Sequence, residues 1–378
     1  MMKNWEFLTH SLVCIIVQHM IIRPSVLNIP PYHPGKKVSG ALKLSSNENP
    51  LGPSPMALEA IQNHLRGLHV YPDGSGAVLT EALSDVYGLD PGQFILGNGS
   101  DEIFTMVAGL VLEPGDWGVT AKQTFSQYDF AIKVFGGHTI EVPLDDSGSY
   151  DLHTIAAYGQ KEKTKVIFLC NPNNPTGTWH SHEKLRDFLS QIPPRVLVVL
   201  DEAYGEYADD PLFPDSMALL QEFPNLLVTR TFSKIYGIAG LRVGYGMGSV
   251  ELIDHVKRLK SPFNINNLGL VGARAALNDT DFVQTSLRIN REGKKRLYKL
   301  CGDLGLETYP TQGNFICVKL DTPLTADRAY TLMAEAGVTI RSLTSFGLPD
   351  SIRITVGSSD QLDVLQRAME GIAQGDKP

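Results

Sequence analysis

The feature that most constrains the fold is an alternation of short apolar, β-rich runs with helical segments. The runs are FILG (94–97), VIFLC (166–170), VLVVL (196–200) and NLLVTRTF (225–232). Helical patterns follow the first two runs, at DEIFTMVAGLVL (101–112) and HEKLRDFLSQI (182–192). Uninterrupted apolar strands that alternate with helices are typical of a sheet covered on both faces. The pattern therefore predicts an α/β fold with a mainly parallel sheet.

Length and local sequence divide the chain further. A chain of 378 residues is too long for one small module, which favours two domains. We expect four parts, which are an apolar segment at 1–22, an extended arm at 23–54, a large domain at 55–262 and a smaller α+β domain at 263–378. The arm is rich in proline, glycine and asparagine, and a helix is expected from Ser54 onward. The last division falls at SPFNINN, where a long helix is expected to follow.

Composition excludes several classes of partner and site. The formal net charge is -8, so the chain has no global basic field for a nucleic-acid backbone. The cysteines are scattered and no histidines stand at metal-ligand spacing, which predicts reduced thiols in the cytoplasm and no metal site. The G-x-S-x-G motif of many serine hydrolases is absent from the sequence.

The apolar run at 11–22 does not predict a membrane anchor. It is shorter than the roughly 20 residues that a spanning helix needs. It also contains Gln18 and His19, and no small-residue cleavage site follows it. Two interpretations stay open, which are a short packing helix and a translation start at Met20. We expect no membrane association in either case.

Polar residues that follow the apolar runs identify a candidate site, because ligands of α/β sheets bind at the carboxyl ends of the strands. The segment GNGSD (97–101) ends the first run and opens a helix, so it offers free backbone N–H groups and a helix dipole suited to a phosphate. By itself the segment is better explained as an ordinary turn capped by Ser100 or Asp101. The segment NPNNPTG (171–177) follows the second run and presents amide groups.

The next two runs lead to charged groups. DEAY (201–204) places an acid and a phenol at the same edge, where a buried carboxylate needs a cationic partner. Ser233 and Lys234 follow the last run, and Arg242 stands a short distance further on. A desolvated amine beside another cation has a lowered pKa and can act as a nucleophile. An amine, a buried acid, a phosphate cup and an arginine together meet the needs of pyridoxal phosphate.

Longer motifs carry a resemblance to a known family. They are RPSVLNIPPYHPGKK, KLSSNENPLGPSP, YPDGSG, NPNNPTG, DEAY, TFSKIYGIAGLRVGYG, PFNIN and RITVG. With these motifs the chain resembles the fold-type I aminotransferases, and from about residue 23 onward it is most similar to their histidinol-phosphate branch. The resemblance implies a large domain with a mainly parallel sheet between helices, a smaller α+β domain, and pyridoxal 5′-phosphate as cofactor.

The resemblance also implies roles for residues around the cofactor. Lys234 matches the Schiff-base lysine that also moves the substrate proton, and Asp201 matches the acid that keeps the ring nitrogen protonated. Tyr204 completes the implied catalytic residues. The other implied contacts are Asn174 and Tyr204 on the ring oxygen O3′, Ser100, the backbone of Asp101, Ser233 and Arg242 on the phosphate, and Phe125 stacked on the ring.

Substrate and subunit contacts are implied in the same way. Tyr71 matches the position that reaches the cofactor phosphate of a neighbouring subunit, which implies a homodimer. Tyr32, Asn174, Arg341 and Arg353 match substrate-side positions, with the arginines on the anionic end of the substrate. From the residues alone, a surface turn is the favoured interpretation of Tyr71, and both arginines are equally solvated strand ends.

The implied reaction is reversible amino-group transfer between L-histidinol phosphate and 2-oxoglutarate, which yields imidazole acetol phosphate and L-glutamate in L-histidine biosynthesis. Aromatic amino-acid aminotransferases and threonine-phosphate decarboxylases share most of these motifs and remain alternatives. A cofactor-binding regulatory domain is disfavoured, because the residues before position 23 leave no room for a helix-turn-helix module.

Overall fold

The computed structural model describes residues 22–27, 29–31 and 38–374. The apolar segment up to residue 21 and Tyr32 lie outside the described residues, so the predictions made for them stay predictions. Within the described ranges, no helix combines the length and the apolar character that crossing a membrane requires.

The described residues form thirteen α-helices and twelve β-strands. The helices are α1 (Pro24–Leu27), α2 (Pro55–His64), α3 (Ala77–Tyr87), α4 (Ser100–Val111), α5 (Gln127–Val134), α6 (Leu152–Gly159), α7 (His182–Ser190), α8 (Ser216–Glu222), α9 (Val250–Lys257), α10 (Asn267–Leu277), α11 (Thr280–Asp303), α12 (Ala326–Glu335) and α13 (Ser359–Gln374). The strands are β1 (Leu42–Lys43), β2 (Phe94–Gly97), β3 (Trp117–Ala121), β4 (His138–Val142), β5 (Thr164–Cys170), β6 (Leu197–Asp201), β7 (Leu226–Thr231), β8 (Gly244–Met247), β9 (Phe315–Lys319), β10 (Val338–Thr339), β11 (Arg341–Ser342) and β12 (Ser351–Thr355). From β2 to β7, a helix separates each strand from the next.

The large sheet has the strand order β2-β8-β7-β6-β5-β3-β4. Its strands β4, β3, β5, β6 and β7 pair in parallel, which confirms the predicted mainly parallel sheet. The exception is β8, which is antiparallel to both β2 and β7. The β8 sequence, GYGM, lacks the apolar run that marks the predicted strands, and sequence reasoning therefore missed it.

The parallel register brings three of the predicted polar segments together. Cys170 at the end of β5 pairs with Asp201 at the end of β6, and Asp201 pairs with Thr229 on β7. Because these strands run in the same direction, the segments that follow them leave the sheet at one edge. That edge carries the NPNNPTG segment, the DEAY segment and Lys234.

Two helix starts illustrate how local sequence sets the elements. The hydroxyl of Ser54 accepts a hydrogen bond from the amide of Ala57 at the start of α2, as predicted. The long helix expected after SPFNINN is instead two helices, α10 and α11. Asp279 accepts a hydrogen bond from the amide of Phe282 and thereby caps a new helix at that point.

Buried apolar side chains form two main clusters. The first surrounds the large sheet and contains side chains from Ala57 to Leu277. The second contains Leu44 and side chains from Leu297 to Met369, and it lies against the antiparallel sheet β11-β12-β9. The boundary between the first and the second cluster along the chain therefore lies within α11. The domain limits expected at 54/55 and 262/263 stay predictions.

The N-terminal arm packs against the second cluster. β1 pairs in parallel with β10, and the amide of Thr355 donates to the carbonyl of Leu44 at 2.9 Å. Residues 45–47, which follow, line a cavity between the arm and the edge of the large sheet.

Candidate active site

A cavity of about 290 Å³ lies at the carboxyl ends of the parallel strands. The predicted site residues that line it are Ser100, Asp101, Phe125, Asn174, Asp201, Tyr204, Ser233, Lys234, Arg242, Arg341 and Arg353. Tyr71 does not line it, and Tyr32 lies outside the described residues. The fold thus brings together side chains that are up to 253 positions apart, from Ser100 to Arg353.

One end of the cavity is suited to an anion. Helix α4 begins at Ser100 behind Gly99, whose φ is 78°, and no side chain caps the helix start. The alternative of an ordinary turn capped by Ser100 or Asp101 is therefore not what forms. A Cβ atom on Gly99 would collide with the guanidinium of Arg242, so glycine allows that cation to reach the helix start. The uncapped N–H groups and the cation favour a bound phosphate.

Arg242 is held at this end by three polar contacts, one of which is a hydrogen bond of 3.2 Å from Nη1 to the carbonyl of Ala239. Its Nη2 atom lies 3.2 Å from Oδ2 of Asp101, and its Nη1 atom donates to the hydroxyl of Ser233 at 3.3 Å. The resemblance implied a backbone role for Asp101, and the structure adds this ion pair of its side chain. Burial raises the pKa of Asp101, and Arg242 counteracts that rise.

Asp201 provides a buried carboxylate on the floor of the cavity. It ends β6 and is 2% exposed. Its Oδ1 atom accepts hydrogen bonds from the amide of Ala203 at 3.1 Å and from the hydroxyl of Thr229 at 3.2 Å. Burial raises the pKa of Asp201 to about 6, while its hydrogen bonds lower it. The group is therefore an anion at neutral pH that a cationic ring nitrogen would stabilise.

Tyr128 is a residue of this site that sequence reasoning missed. Its phenol donates a hydrogen bond of 2.6 Å to Oδ2 of Asp201. Its ring stacks on Phe168 and meets the ring of Phe125 edge-on, with centroids 5.2 Å and 5.8 Å away. Burial raises the pKa of Tyr128, so the phenol stays a donor. The available signal was the spacing of three residues from Phe125, which places both rings on one face of a helical turn.

Lys234 provides the amine. Its side chain is half-buried, and Nζ donates to the carbonyl of Ser46 at 3.1 Å and lies 5.5 Å from the ring centroid of Tyr204. Burial and the charge of Arg353 lower the pKa of Lys234 to about 8. A considerable fraction of this amine is unprotonated at mildly alkaline pH, which makes it a competent nucleophile.

Two arginines form the opposite wall of the cavity. Arg341 on β11 and Arg353 on β12 are directly paired across antiparallel strands, so both side chains lie on the same face of the small sheet. Nη2 of Arg353 donates to the carbonyl of Ser45 at 2.8 Å, and Nη1 donates to Oδ1 of Asn174. The buried Nε atom of Arg353 has no partner among the described residues. This wall can accept an anionic group of a ligand.

Tyr204 is buried beside Lys234, and its oxygen accepts a hydrogen bond of 2.9 Å from Nδ2 of Asn47. Burial raises the pKa of Tyr204 to about 12, so the phenol is protonated at neutral pH. Asn47, like Tyr128, is a residue of this site that the sequence prediction did not include. The motif KLSSNENPLGPSP contains it but gives no indication of its contact with Tyr204.

Tyr71 lies apart from the cavity of its own chain. It is 79% exposed, and its ring stacks on Phe263 with the centroids 4.9 Å apart. Within one chain it therefore has the surface-turn position that the residues alone suggested.

Comparisons with known proteins identify the family. The chain matches the family described as aminotransferase class I and II over residues 39–369. It is 44% identical over 359 residues to a histidinol-phosphate aminotransferase from Brevibacillus brevis, and the matched region covers 93% of this chain and 98% of that protein. It is 43% identical to histidinol-phosphate aminotransferase 1 from Thiobacillus denitrificans, which covers 89% of this chain and 90% of that protein.

A solved structure extends the similarity to three dimensions. The crystal structure of histidinol-phosphate aminotransferase from Sinorhizobium meliloti in complex with pyridoxal-5′-phosphate has a TM-score of 0.85 and 29% identity, and it covers 94% of this chain and 98% of that chain. This likeness confirms the predicted fold class, and the relatives confirm the resemblance. The chain belongs to the class I and II aminotransferase family.

Proposed function

We propose that this chain is a pyridoxal-phosphate-dependent aminotransferase that transfers the amino group between L-histidinol phosphate and 2-oxoglutarate, in L-histidine biosynthesis. The observation that carries the proposal is 44% identity, over 93% of the chain, to a relative named for that activity. The cavity supports it, because four features line one space. They are the amine of Lys234, the buried carboxylate of Asp201, an anion cup formed by the start of α4 with Ser233 and Arg242, and an arginine wall formed by Arg341 and Arg353.

The residues of the cavity fit pyridoxal phosphate. The start of α4, Ser233 and Arg242 would hold its phosphate, Asp201 would pair with its ring nitrogen, and Phe125 would cover its ring. The uncapped helix start and the buried carboxylate of Asp201 would both be stabilised by a ligand of this kind. When bound, the cofactor supplies an electron sink for a carbanion at the substrate's α-carbon.

The remaining steps belong to side chains of this chain. Lys234 would attach the cofactor covalently, and as a free amine it would take the proton from the substrate's α-carbon. Its lowered pKa suits that task, because a base works best when its pKa lies near the operating pH. Tyr204 would offer a phenol proton to the ring oxygen, and Asn174, which lines the same cavity, would be a further polar contact.

A half-reaction screen tests the substrate. The purified enzyme, loaded with pyridoxal phosphate, is mixed in turn with histidinol phosphate, phenylalanine and threonine phosphate under single-turnover conditions. We expect histidinol phosphate to give the fastest conversion of the cofactor to its amine form. A fastest reaction with phenylalanine would favour the aromatic aminotransferase, and release of CO₂ from threonine phosphate would favour the decarboxylase.

Substitutions of Arg341 and Arg353 are expected to distinguish the two half-reactions. Histidinol phosphate has no α-carboxylate, so its phosphate must take the place of the carboxylate of glutamate. Arg353→Ala should slow both half-reactions about 100-fold, the value of one lost charged contact. Arg341→Ala should slow histidinol phosphate about tenfold more than glutamate, because a phosphate carries nearly two charges. Single-turnover rates measure both effects.

A matched control completes this experiment. Arg288→Ala removes an exposed arginine on α11, whose contact is an ion pair with Glu292 at the surface, and it should leave both rates unchanged. Equal losses for the two substrates in Arg341→Ala would contradict the phosphate-reading role of Arg341.

We also propose that the active form is a homodimer in the cytoplasm. Several large apolar side chains around Tyr71 in the sequence are exposed, namely Leu65, Leu68, Val70 and Val78, as is Phe263, which stacks on Tyr71, and they support an interface. Exposed apolar surface is typical of a face that another protein covers. The buried free thiols of Cys170, Cys301 and Cys317 are consistent with a reducing compartment.

Mixed dimers test whether Tyr71 completes the neighbouring site. Tyr71→Phe should weaken cofactor binding about tenfold through loss of a hydrogen bond to a charged group. Hybrids of Tyr71→Phe subunits with Lys234→Ala subunits should contain one native site, since one subunit supplies Lys234 and the other supplies Tyr71. Cofactor affinity is measured by equilibrium dialysis and turnover after subunit mixing. If the hybrids bind no better than Tyr71→Phe alone, Tyr71 acts only within its own chain.

A further inference from the structure

Asn47 combines burial with a backbone conformation that few residues adopt. Its φ is 58°, in the left-handed region, and its side chain is fully buried. Buried non-glycine residues in this region persist where surrounding contacts fix them, and they concentrate at functional sites. Asn47 lines the cavity, yet the proposed function gives it no task.

The contacts of Thr355 determine how the Asn47 amide is oriented. The hydroxyl of Thr355 accepts a hydrogen bond of 2.9 Å from the backbone amide of Asn47. The proton of that hydroxyl is then donated to Oδ1 of Asn47 at 3.1 Å. Because Oδ1 is held toward Thr355, the Nδ2 group must face the other side, where it donates to Tyr204 at 2.9 Å.

This orientation decides what Tyr204 can do. Its oxygen accepts from Asn47, so the phenol proton is free to be donated elsewhere. Among the described residues, no side chain or backbone oxygen accepts that proton, and Tyr204 lines the cavity. The phenol is therefore a donor for an oxygen acceptor bound in the cavity. Under the proposed function, that acceptor is the ring oxygen of the cofactor.

Asn47 also contacts the C-terminal part of the chain. Its carbonyl accepts from Nδ2 of Asn314 at 3.0 Å, and Thr355 ends the strand that carries Arg353. The two residues before it give their carbonyls to site cations, Ser45 to Arg353 and Ser46 to Lys234. The segment 45–47 thus contacts Arg353 of the arginine wall, Lys234 and Tyr204.

We propose that Asn47 is a positioning residue that acts through Tyr204, because it occupies the phenol oxygen and directs the phenol proton into the cavity. The inference rests on the proposed function for the identity of the acceptor. It assigns Asn47 no contact with the substrate. Its effect on turnover and on cofactor affinity should therefore vanish when the Tyr204 hydroxyl is removed.

A double-mutant cycle tests this dependence. Asn47→Gly removes the amide but tolerates the left-handed backbone, so it avoids strain that alanine would add. Asn47→Gly and Tyr204→Phe should each lower cofactor affinity or turnover about tenfold, the scale of one hydrogen bond. The double variant should be no worse than Tyr204→Phe alone. Multiplied losses of about 100-fold would overturn the proposal.

A second pair of variants tests the orientation of the amide without altering a residue that lines the cavity. Thr355→Val removes the hydroxyl that orients Asn47, whereas Thr355→Ser keeps it at the same place. We expect Thr355→Val to reproduce the loss of Asn47→Gly and Thr355→Ser to restore most of it. Equal behaviour of the two Thr355 variants, with unchanged thermal unfolding, would contradict the proposed orientation.

The readouts separate this inference from the proposed function. Cofactor affinity is measured on the apoprotein with pyridoxal phosphate alone, so it reports on Asn47 whichever amino donor the enzyme accepts. An inactive native enzyme toward histidinol phosphate would reject the proposed substrate. A native enzyme that is active, with independent effects of Asn47 and Tyr204, would reject only the positioning role.

Discussion

Lys234→Ala is expected to remain folded and to bind pyridoxal phosphate, yet to lose turnover by at least about 10⁴-fold. The cofactor phosphate would still meet the helix start and Arg242, which are contacts separate from the amine. The loss combines covalent attachment with proton transfer, and a positioned acid or base alone contributes about 10² to 10⁴ in rate. Turnover and cofactor binding are measured on the same preparation.

A chemical readout identifies the attachment point directly. Borohydride reduction of the loaded native enzyme, followed by mass spectrometry, should place the cofactor on the peptide that contains Lys234. The variant should carry no label, whereas the control Lys257→Ala, an exposed lysine on α9, should label as the native enzyme does. Labelling of the Lys234→Ala protein at another lysine would reject the assignment.

The pKa of Lys234 gives this attachment a pH dependence. Burial and Arg353 lower the pKa to about 8, so below that pH most of the amine is an ammonium ion that cannot attack an aldehyde. The rate at which the apoprotein couples to pyridoxal phosphate should therefore rise as the pH passes through about 8. Stopped-flow measurements between pH 6 and pH 10, roughly two units to either side of that pKa, measure this rise. Arg353→Ala should move the midpoint upward, because the repelling charge is gone.

Asp201→Asn is expected to lower turnover by about 10³-fold, a loss similar to that from removing an electrostatic stabiliser in other active sites. An amide has no charge with which to hold a proton on the ring nitrogen, so the electron sink is weakened. Steady-state turnover and single-turnover rates with glutamate measure the loss. A variant with more than about one tenth of native turnover would remove Asp201 from this role.

Although Asp201→Asn lowers turnover, it should not lower the thermal stability of the apoprotein. The pKa of Asp201 is raised in the folded apoprotein to about 6, so its ionisation opposes folding and this loss of stability develops as the pH rises from about 4 to about 6. Asn has no charge to desolvate. The Asp201→Asn apoprotein should therefore unfold at the same temperature as native apoprotein, or higher, at pH 8. Calorimetry at pH 4 and pH 8 measures the unfolding temperatures and distinguishes this stabilisation from misfolding. Tyr128→Phe, which keeps the charge of Asp201 but removes one of its hydrogen-bond donors, is measured alongside it.

Sequence reasoning located the site where polar residues directly follow a buried strand. Asp201 comes at the end of VLVVL, and Lys234 comes soon after NLLVTRTF, so the strand pattern alone placed them at one edge. Arg341 and Arg353 entered only through the family resemblance, because nothing local distinguishes a site arginine from a solvated one. The cross-strand register that pairs them is a property of the folded sheet.

The residues that sequence reasoning missed depend on contacts between distant segments. Asn47 and Tyr204 are separated by 157 positions, and Tyr128 and Asp201 by 73. Neither pair produces a period or a spacing in the sequence. Strand β8 was missed for a local reason, because its alternating glycines remove the apolar signal while they allow close approach to the start of α4.

The position of the N-terminal arm has a consequence for how the protein is made. Residues 42–47 leave the ribosome early, but their partners Val338 and Thr355 are synthesised about three hundred residues later. At roughly 5 to 20 residues per second, the arm waits at least about fifteen seconds for them. During that time Leu44 lacks its core and Asn47 lacks its hydroxyl partner, while the large sheet can already form. The anion cup of the nascent chain can thus be complete before the arm closes the cavity.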